Sequence, residues 1–384
     1  MPINYLELQP QVSEYCRQAG KQIASRPEKV ATAIALLKRL ASEVREGEHK
    51  SLSAQISKSA VKRCALPAHE SLDGVFPIQT ETEPYSLLAS DGSQITSSHH
   101  DILPLSLVNT ATVYMQPGSA LAPQVKISTE FIRAQDGTIA TEFLPERWVN
   151  TARDVRELQV LANFPLTSDY PLIALSDGPL ELFQEPRGGE THQILFQDYL
   201  ASLSALCRNE YICAGYTDKP RADLIVKLLE LVFRAEPRHD ISGITDAHIF
   251  SQLLPPAARS SVFTLFSPSS NAYRDEIALH FFYLNAGSLT RPWIVRVEIP
   301  SCVAARVSAI TLLQHALIDQ CALLGQRPYP YILHRAHEEA VVHFEERENV
   351  MQLLTHTLTQ MGVDTGAQSN KLNAKELRPR TRLK

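Results

Sequence analysis

No stretch of this chain approaches the roughly 20 consecutive apolar residues that cross a bilayer, so no membrane partner is expected. Cysteine is sparse. Cys16, Cys64, Cys207, Cys213, Cys302 and Cys321 include no Cys-x-x-Cys pair, which argues against a disulfide framework or zinc site and for reduced, partly buried thiols. The amino terminus, Met1-Pro2-Ile3-Asn4-Tyr5, lacks the basic-then-apolar layout of a signal peptide, so a cytoplasmic protein is expected. No segment repeats at a fixed period and none is of low complexity. Basic charge is not in excess either. The formal net charge is -5, so a polyanion must be met by local patches rather than by the whole surface. One patch is the C-terminal run of Lys371, Lys375, Arg378, Arg380, Arg382 and Lys384, readable as a solvated tail or as an arm that touches phosphates.

What is present suits a globular protein with a substantial core. Of the 384 residues, 44% are hydrophobic and 21% charged, ordinary for a folded domain. The first seventy or so residues read as helical. Val30 to Val44 repeats apolar residues at helical spacing, with a start suggested by Arg26-Pro27-Glu28-Lys29. From Tyr85 the pattern becomes short strands, with further strands at Val125 to Phe131 and Ile139 to Phe143, the layout of an antiparallel meander. Helix and strand then alternate: a helix near Trp148 to Ala162, a strand Leu172–Leu175, a helix near Gln193 to Cys207 and a strand Tyr211–Ala214. Later strands fall at Val262–Phe266, Ile277–Tyr283 and Trp293–Ile299, followed by helices to about Met361. This predicts an α/β protein, a mixed β-sheet flanked by helices with an N-terminal helical extension.

Two apolar runs end in Asp-Gly. Ser90-Asp91-Gly92-Ser93 closes the first and Ser176-Asp177-Gly178-Pro179 the second, and both read as turns at strand ends. Between them, Glu157 lies in the helix Asp154-Val155-Arg156-Glu157-Leu158. An Asp-Gly after a strand is often only a turn, and helices favour Glu for its propensity alone. In chain order, however, strand Asp, helix Glu and strand Asp is the layout of ribonuclease H-like nucleases. There, hard carboxylate oxygens hold divalent ions about 4 Å apart against a phosphodiester. His337, in Ala336-His337-Glu338-Glu339, offers either a metal ligand or a proton shuttle, or simply a packing residue. His99 and His100 are adjacent and point to opposite faces of an extended chain, so they are set aside.

At these residues the sequence resembles the NurA nucleases of DNA end processing, over roughly Tyr85 to Val350. The resemblance rests on Ala89-Ser90-Asp91-Gly92-Ser93, on Leu175-Ser176-Asp177-Gly178-Pro179-Leu180 and on Ala214 through Arg221. It continues at Asp246 with Leu253-Leu254, Arg259 through Phe263, Phe281-Phe282-Tyr283, Arg296 through Pro300, and Tyr329-Pro330 followed by Ala336-His337. Pro179 and Ala258 depart from the family pattern without removing a ligand.

The resemblance implies a ribonuclease H-like core and a manganese-dependent DNA nuclease of the single-strand endonuclease and 5'-3' exonuclease type. It also implies a homodimer that works with a HerA-type hexameric ATPase on double-strand breaks. By this carry-over Asp91, Glu157 and Asp177 bind two Mn²⁺ or Mg²⁺ ions and His337 assists, with Glu142 or Glu146 as rivals of Glu157. Lys219, Arg221, Arg259, Tyr273 and Arg296 are candidate DNA contacts, although Arg296 and Arg259 also read as strand packing residues. The expected regions are a helical segment over 1–75, a nuclease domain over 76–362 and a basic tail over 363–384. Competing readings are a weakly active accessory subunit docking to the ATPase, and a metal phosphohydrolase of small phosphoesters.

Overall fold

Apolar periodicity along the chain becomes an ordered series of helices and strands in the computed structural model. It describes residues 3–44, 63–79, 83–96, 104–133, 143–165, 168–182, 190–234, 240–325 and 327–363, with Leu52, Ile56 and Ile139. Helix α1 (Tyr5–Glu43) precedes strands β1 (Cys64–Pro67), β2 (Val75–Phe76), β3 (Ser86–Thr96), β4 (Ser106–Met115) and β5 (Gln124–Phe131). Next come α2 (Glu146–Ala162), β6 (Leu172–Asp177), α3 (Glu190–Arg208), β7 (Ile212–Thr217), α4 (Leu224–Val232) and α5 (Asp246–Leu253). Strands β8 (Arg259–Ser260), β9 (Phe263–Phe266), β10 (Leu279–Asn285) and β11 (Ile294–Pro300) are followed by helices α6 (Ser301–Ala304), α7 (Val307–Ala322), α8 (Tyr331–Ala340) and α9 (Phe344–Gln360). Among the described residues no helix is long and apolar enough to cross a membrane.

The chain divides into two units, the first made of Met1–Ser86, Ser168–Phe183 and Ser204–Tyr331. Its strands run β1-β9-β10-β11-β7-β6, with β8 pairing β10 and β2. Strands β6 and β7 are parallel, while β7 to β11 and β11 to β10 are antiparallel. The sheet is therefore mixed, and with its helices gives the expected α/β class. Strands β10 and β11 are buried almost throughout. Hence β10 reads as a near-continuous apolar run, while β11 holds Arg296 and Glu298 within its buried length.

Three expectations for this unit need correction. Helix α1 begins at Tyr5, where Asn4 Oδ1 accepts the Glu7 N–H at 3.4 Å, and it runs through Pro27. Its apolar spacing still marks the packed part, for Val30, Ala33, Leu36, Leu37 and Leu40 are the buried residues. Within the stretch read as helical, β1 is a strand, because it finds a partner about 200 residues later in β9 (Cys64↔Phe266). The expected reduced thiols at Cys207 and Cys302 are likewise corrected: the two form a disulfide across a sequence separation of 95. The meeting of the α3 end with α6 is a tertiary event that no local spacing announces.

The second unit comprises Leu87–Thr167, Gln184–Leu203 and Ile332–Lys384. Strands β3, β4 and β5 form the expected antiparallel meander. Ile139 makes only an isolated bridge to Arg133; most of the further strand expected there, like Glu142, His99, His100 and the basic tail, lies outside the described residues. Helix α2 packs Val149 onto Val108 and Ile132, with Trp148 and Ala152 alongside. On another side Ile95, Leu105 and Leu107 meet Val342, Val350, Met351 and Leu354. Both clusters use apolar residues one helical turn apart on α2 or α9, so burial fixes which helical face meets the strands.

Candidate active site

Strand β3 does not stop at Asp91. It continues in register with β4, pairing Asp91 with Ala111 and Gly92 with Thr110. The expected turn is thus a mid-strand Asp-Gly, because β4 satisfies the backbone groups that a turn would otherwise satisfy. Alternation along the strand then sorts the side chains. Ser90, Gly92 and Gln94 share one face, and Asp91 and Ser93 the other.

The first face meets α2. Ser90 Oγ donates to the Glu157 carbonyl at 2.9 Å, pinning the helix to the strand. Gly92 leaves the gap that lets the helix close: a Cβ there would lie 2.7 Å from Glu157 Oε1 and 2.8 Å from Arg153 Cγ. Glu157 is buried, 8% exposed, and reaches the backbone beside Asp91 only because residue 92 has no side chain. Arg153 stands one turn before it, with Nε 3.3 Å from Glu157 Oε1 and Nη2 2.9 Å from Asp154 Oδ1.

The second face meets α8. His337 Nδ1 and Asp91 Oδ2 are 2.6 Å apart, with Nδ1–H as donor when the carboxylate is ionised. Asp91 Oδ1 accepts the Gly92 N–H at 2.9 Å. Ser93 Oγ and Asn109 Nδ2 both donate to the Ala340 carbonyl, at 2.5 and 2.9 Å, and thereby fix the end of α8 that carries the imidazole. The carboxylate is mostly covered, while the His337 side chain is 64% exposed.

Electrostatics tie these groups together. Burial pushes the Asp154 carboxyl up, Arg153 opposes that, and the Asp91 charge adds to the rise. Burial alone would lower the Arg153 guanidinium, but Asp154, Glu157 and Asp91 hold it above its ordinary value. Asp154 and Arg153 are therefore site residues that the sequence reading passed over. Their signal was available: Arg153 and Asp154 precede Glu157 by four and three positions, on one helical face.

Asp177 closes β6 in the first unit, aligned with Tyr216 on β7, and Gly178 N–H donates to the Tyr216 carbonyl at 2.8 Å. Lys219 and Arg221 follow β7 and are exposed; Lys219 Nζ lies 4.5 Å from the Trp293 ring centroid. Both strands are parallel, and their C-terminal ends are where open α/β sheets bind ligands.

Three candidate DNA contacts prove to be buried. Arg259, at 3% exposure, forms a two-point pair with Glu70 at 2.8 and 2.9 Å. Arg296 pairs with the fully buried Glu298 at 2.7 Å. Tyr273 OH accepts the Leu182 N–H at 2.7 Å. Glu298 also accepts the Glu181 N–H at 3.1 Å, and Glu181 pairs with Arg63 and Ser267. Tyr273 and the Arg296–Glu298 pair brace the segment after Asp177, and Arg259 ties β8 to Glu70; none of the three faces solvent. Sequence alone showed the residue types, not their burial. Glu146, the rival to Glu157, is exposed at the start of α2.

Chemically, the second unit offers hard oxygen donors from Asp91, Asp154 and Glu157 plus one imidazole, the donor set of Mn²⁺ or Mg²⁺. The guanidinium drawn among these carboxylates shows that the place favours positive charge. Among the described residues, the set of three or more such side chains whose ligand atoms all lie within 4.8 Å of one another is Cys207, Cys213 and Cys302. The carboxylates stand farther apart than that.

A family model described as the NurA domain matches residues 85–342. No curated protein matches the chain by sequence. Among solved structures, the NurA nuclease from Sulfolobus solfataricus aligns at 12% identity and a TM-score of 0.47, covering 90% of this chain and 98% of that one. The catalytic domain of human endonuclease V aligns at 13% identity and 0.30, covering 80% and 96%. LC9-RNase H1, a type 1 RNase H, aligns at 9% and 0.22, covering 40% and 72%.

Proposed function

The chain belongs to the NurA family of nucleases, on the match over residues 85–342, and from that premise we propose that it is a divalent-metal-dependent deoxyribonuclease. The observation that carries this reading is the pairing of Asp91 with His337 at 2.6 Å while Glu157 approaches across Gly92. Asp91, Asp154 and Glu157 are the oxygens that would hold Mn²⁺ or Mg²⁺, and the family resemblance assigns Asp177 the same role. Such ions, when bound, polarise a water and offset charge on the reacting phosphate.

The remaining work falls to the chain's own groups. Asp91 orients the His337 imidazole through Nδ1. The exposed ring leaves Nε2 open to carry a proton to the departing oxygen. Ser90 and Gly92 keep Glu157 in place by the helix–strand contact. Lys219 and Arg221, exposed beyond β7, are suited to DNA phosphates as mobile point charges and forks. Arg259, Tyr273 and Arg296 act behind this surface as braces.

At the level of the cell, the reading is single-strand endonuclease and 5'-3' exonuclease activity in the cytoplasm, on double-strand break ends. The protein would act as a homodimer fed by a HerA-type translocase, with delivery offsetting the acidic net charge. The test is cleavage of single-stranded and duplex DNA by the full chain with Mn²⁺, beside Asp91→Ala, Asp177→Ala and a small phosphoester. Metal-dependent DNA cleavage abolished by either substitution is expected. No cleavage leaves an accessory subunit, and turnover of the small phosphoester alone points to a phosphohydrolase; either result sinks the nuclease reading.

A further inference from the structure

Arg153 is an unusual neighbour for a metal site. A helical Arg four residues before a Glu is commonly a solvated surface pair worth little. Here the side chain is about two-thirds covered, with 32% exposure. Its stem lies over the strand: Cγ and Cδ stand 2.8 and 3.2 Å from where a Cβ of residue 92 would be. Its head serves three carboxylates at once. Nη2 meets Asp154 at 2.9 Å, Nε meets Glu157 at 3.3 Å, and Asp91 lies within electrostatic reach. Nη1 donates to Gln94 Oε1 at 3.3 Å, and Gln94 in turn donates to Asn150 Oδ1 at 2.5 Å, so the guanidinium is held from both sides.

The contact with Glu157 is the weak one. Nε is buried yet makes no hydrogen bond, because its ion pair with Glu157 is not aligned as one. Three carboxylates converge on this one guanidinium, so the set remains attractive to a cation even with Arg153 in place.

We infer that Arg153 is a built-in counter-cation that a divalent ion must displace from Glu157. It is a positioning residue: it keeps the buried carboxylate paired and oriented before metal arrives, then swings on its Asp154 anchor. Displaced from Glu157, the guanidinium would keep its Asp154 contact and have its Nε–H available to a phosphate oxygen. This rests on the nuclease reading for its consequence, but not for the competition itself.

The experiment is a calorimetric Mn²⁺ titration of the full chain against Arg153→Gln and Arg153→Lys, with no DNA present. Removing the charge is expected to tighten Mn²⁺ binding about tenfold, the direction required when one positive charge leaves a cation site. Arg153→Lys should stay within about twofold of wild type, because it keeps the charge. At saturating Mn²⁺, Arg153→Gln should raise KM for DNA several-fold with kcat little changed. Equal or weaker Mn²⁺ binding by a folded Arg153→Gln protein overturns the inference. In the wild-type chain, arginine guanidinium NMR resonances titrated with Mg²⁺ should show one side chain losing its hindered rotation; no change overturns the inference without any variant. Wild type that binds no Mn²⁺ while Arg153→Gln does would support the counter-cation and count against the nuclease reading; no binding by either defeats both.

Discussion

Replacing Gly92 with alanine puts the central contact of the site under direct test. The added methyl would sit 2.7 Å from Glu157 Oε1, 2.8 Å from Arg153 Cγ and 3.2 Å from Arg153 Cδ. Ordinary carbon contacts begin near 3.5 Å, so the neighbours must retreat by about 0.8 Å. Glu157 Oε1 is the far end of a flexible side chain and can move at modest cost, whereas Arg153 Cγ lies close to the α2 backbone and yields less easily. Overpacking costs roughly 1–3 kcal/mol, and replacing glycine returns about 0.4–1 through the unfolded chain. A net loss of about 1–2 kcal/mol follows, a fall in Tm of a few degrees, with the fold intact. Activity should fall far more. If Glu157 holds the metal as proposed, a displacement of that size is expected to lower kcat on DNA by about a hundredfold. Thermal unfolding and Mn²⁺-dependent cleavage measured on the same preparation separate the two effects. Wild-type cleavage by folded Gly92→Ala would refute the claim that Glu157 must approach through this gap.

Three other expectations follow from particular contacts. Ser90→Ala removes the buried bond to the Glu157 carbonyl and should cost about 1 kcal/mol in urea unfolding; an unchanged midpoint would show that α2 is held by apolar packing alone. Gly215→Ala places a Cβ 2.6 Å from the Gly178 carbonyl and 2.9 Å from the Leu180 N. Backbone cannot step aside as side chains can, so this change should destabilise by at least about 3 kcal/mol, the upper end for overpacking, and a Tm within a degree of wild type would contradict it. Asp246, buried and hydrogen-bonded to Ile225, Val226 and Tyr283, has its carboxyl raised by burial to about 6. Because the folded pKa lies above the unfolded one, its favourable contribution is full below about pH 4 and is lost as pH rises through 6. Relative to Asp246→Asn, wild type should therefore lose about 2 kcal/mol between pH 4 and pH 7; parallel stability–pH curves would exclude this.

Much of the architecture was legible because burial writes itself into local pattern. The runs that became β4, β10 and β11, and the buried stripe of α1 from Val30 to Leu40, stand out in the amino-acid order. So does the parallel pair β6 and β7, where alternating helix and strand announced a crossover. Less legible were elements whose only support is distant. Strand β1 exists through β9, and the disulfide joins Cys207 to Cys302 across 95 positions. Neither leaves a periodic trace, since pairing partners far along the chain impose no local spacing.

At the site itself the division is sharper. The order of residues along the chain already marked Asp91, Glu157, Asp177 and His337 as candidates, because strand Asp-Gly and helical Glu are local features and the family motifs are linear. It also held Arg153 and Asp154 on the face of Glu157, for anyone counting helical turns. Only the tertiary structure brought His337 to Asp91 across 246 positions, and only it turned the Asp-Gly turn into the middle of a strand, with Gly92 as the gap for α2. It alone sorted the basic candidates, leaving Lys219 and Arg221 in solvent and burying Arg259 and Arg296 against Glu70 and Glu298. The reason is physical. Residue type and spacing follow from covalent order, whereas burial and charge pairing depend on which remote surface arrives opposite each side chain.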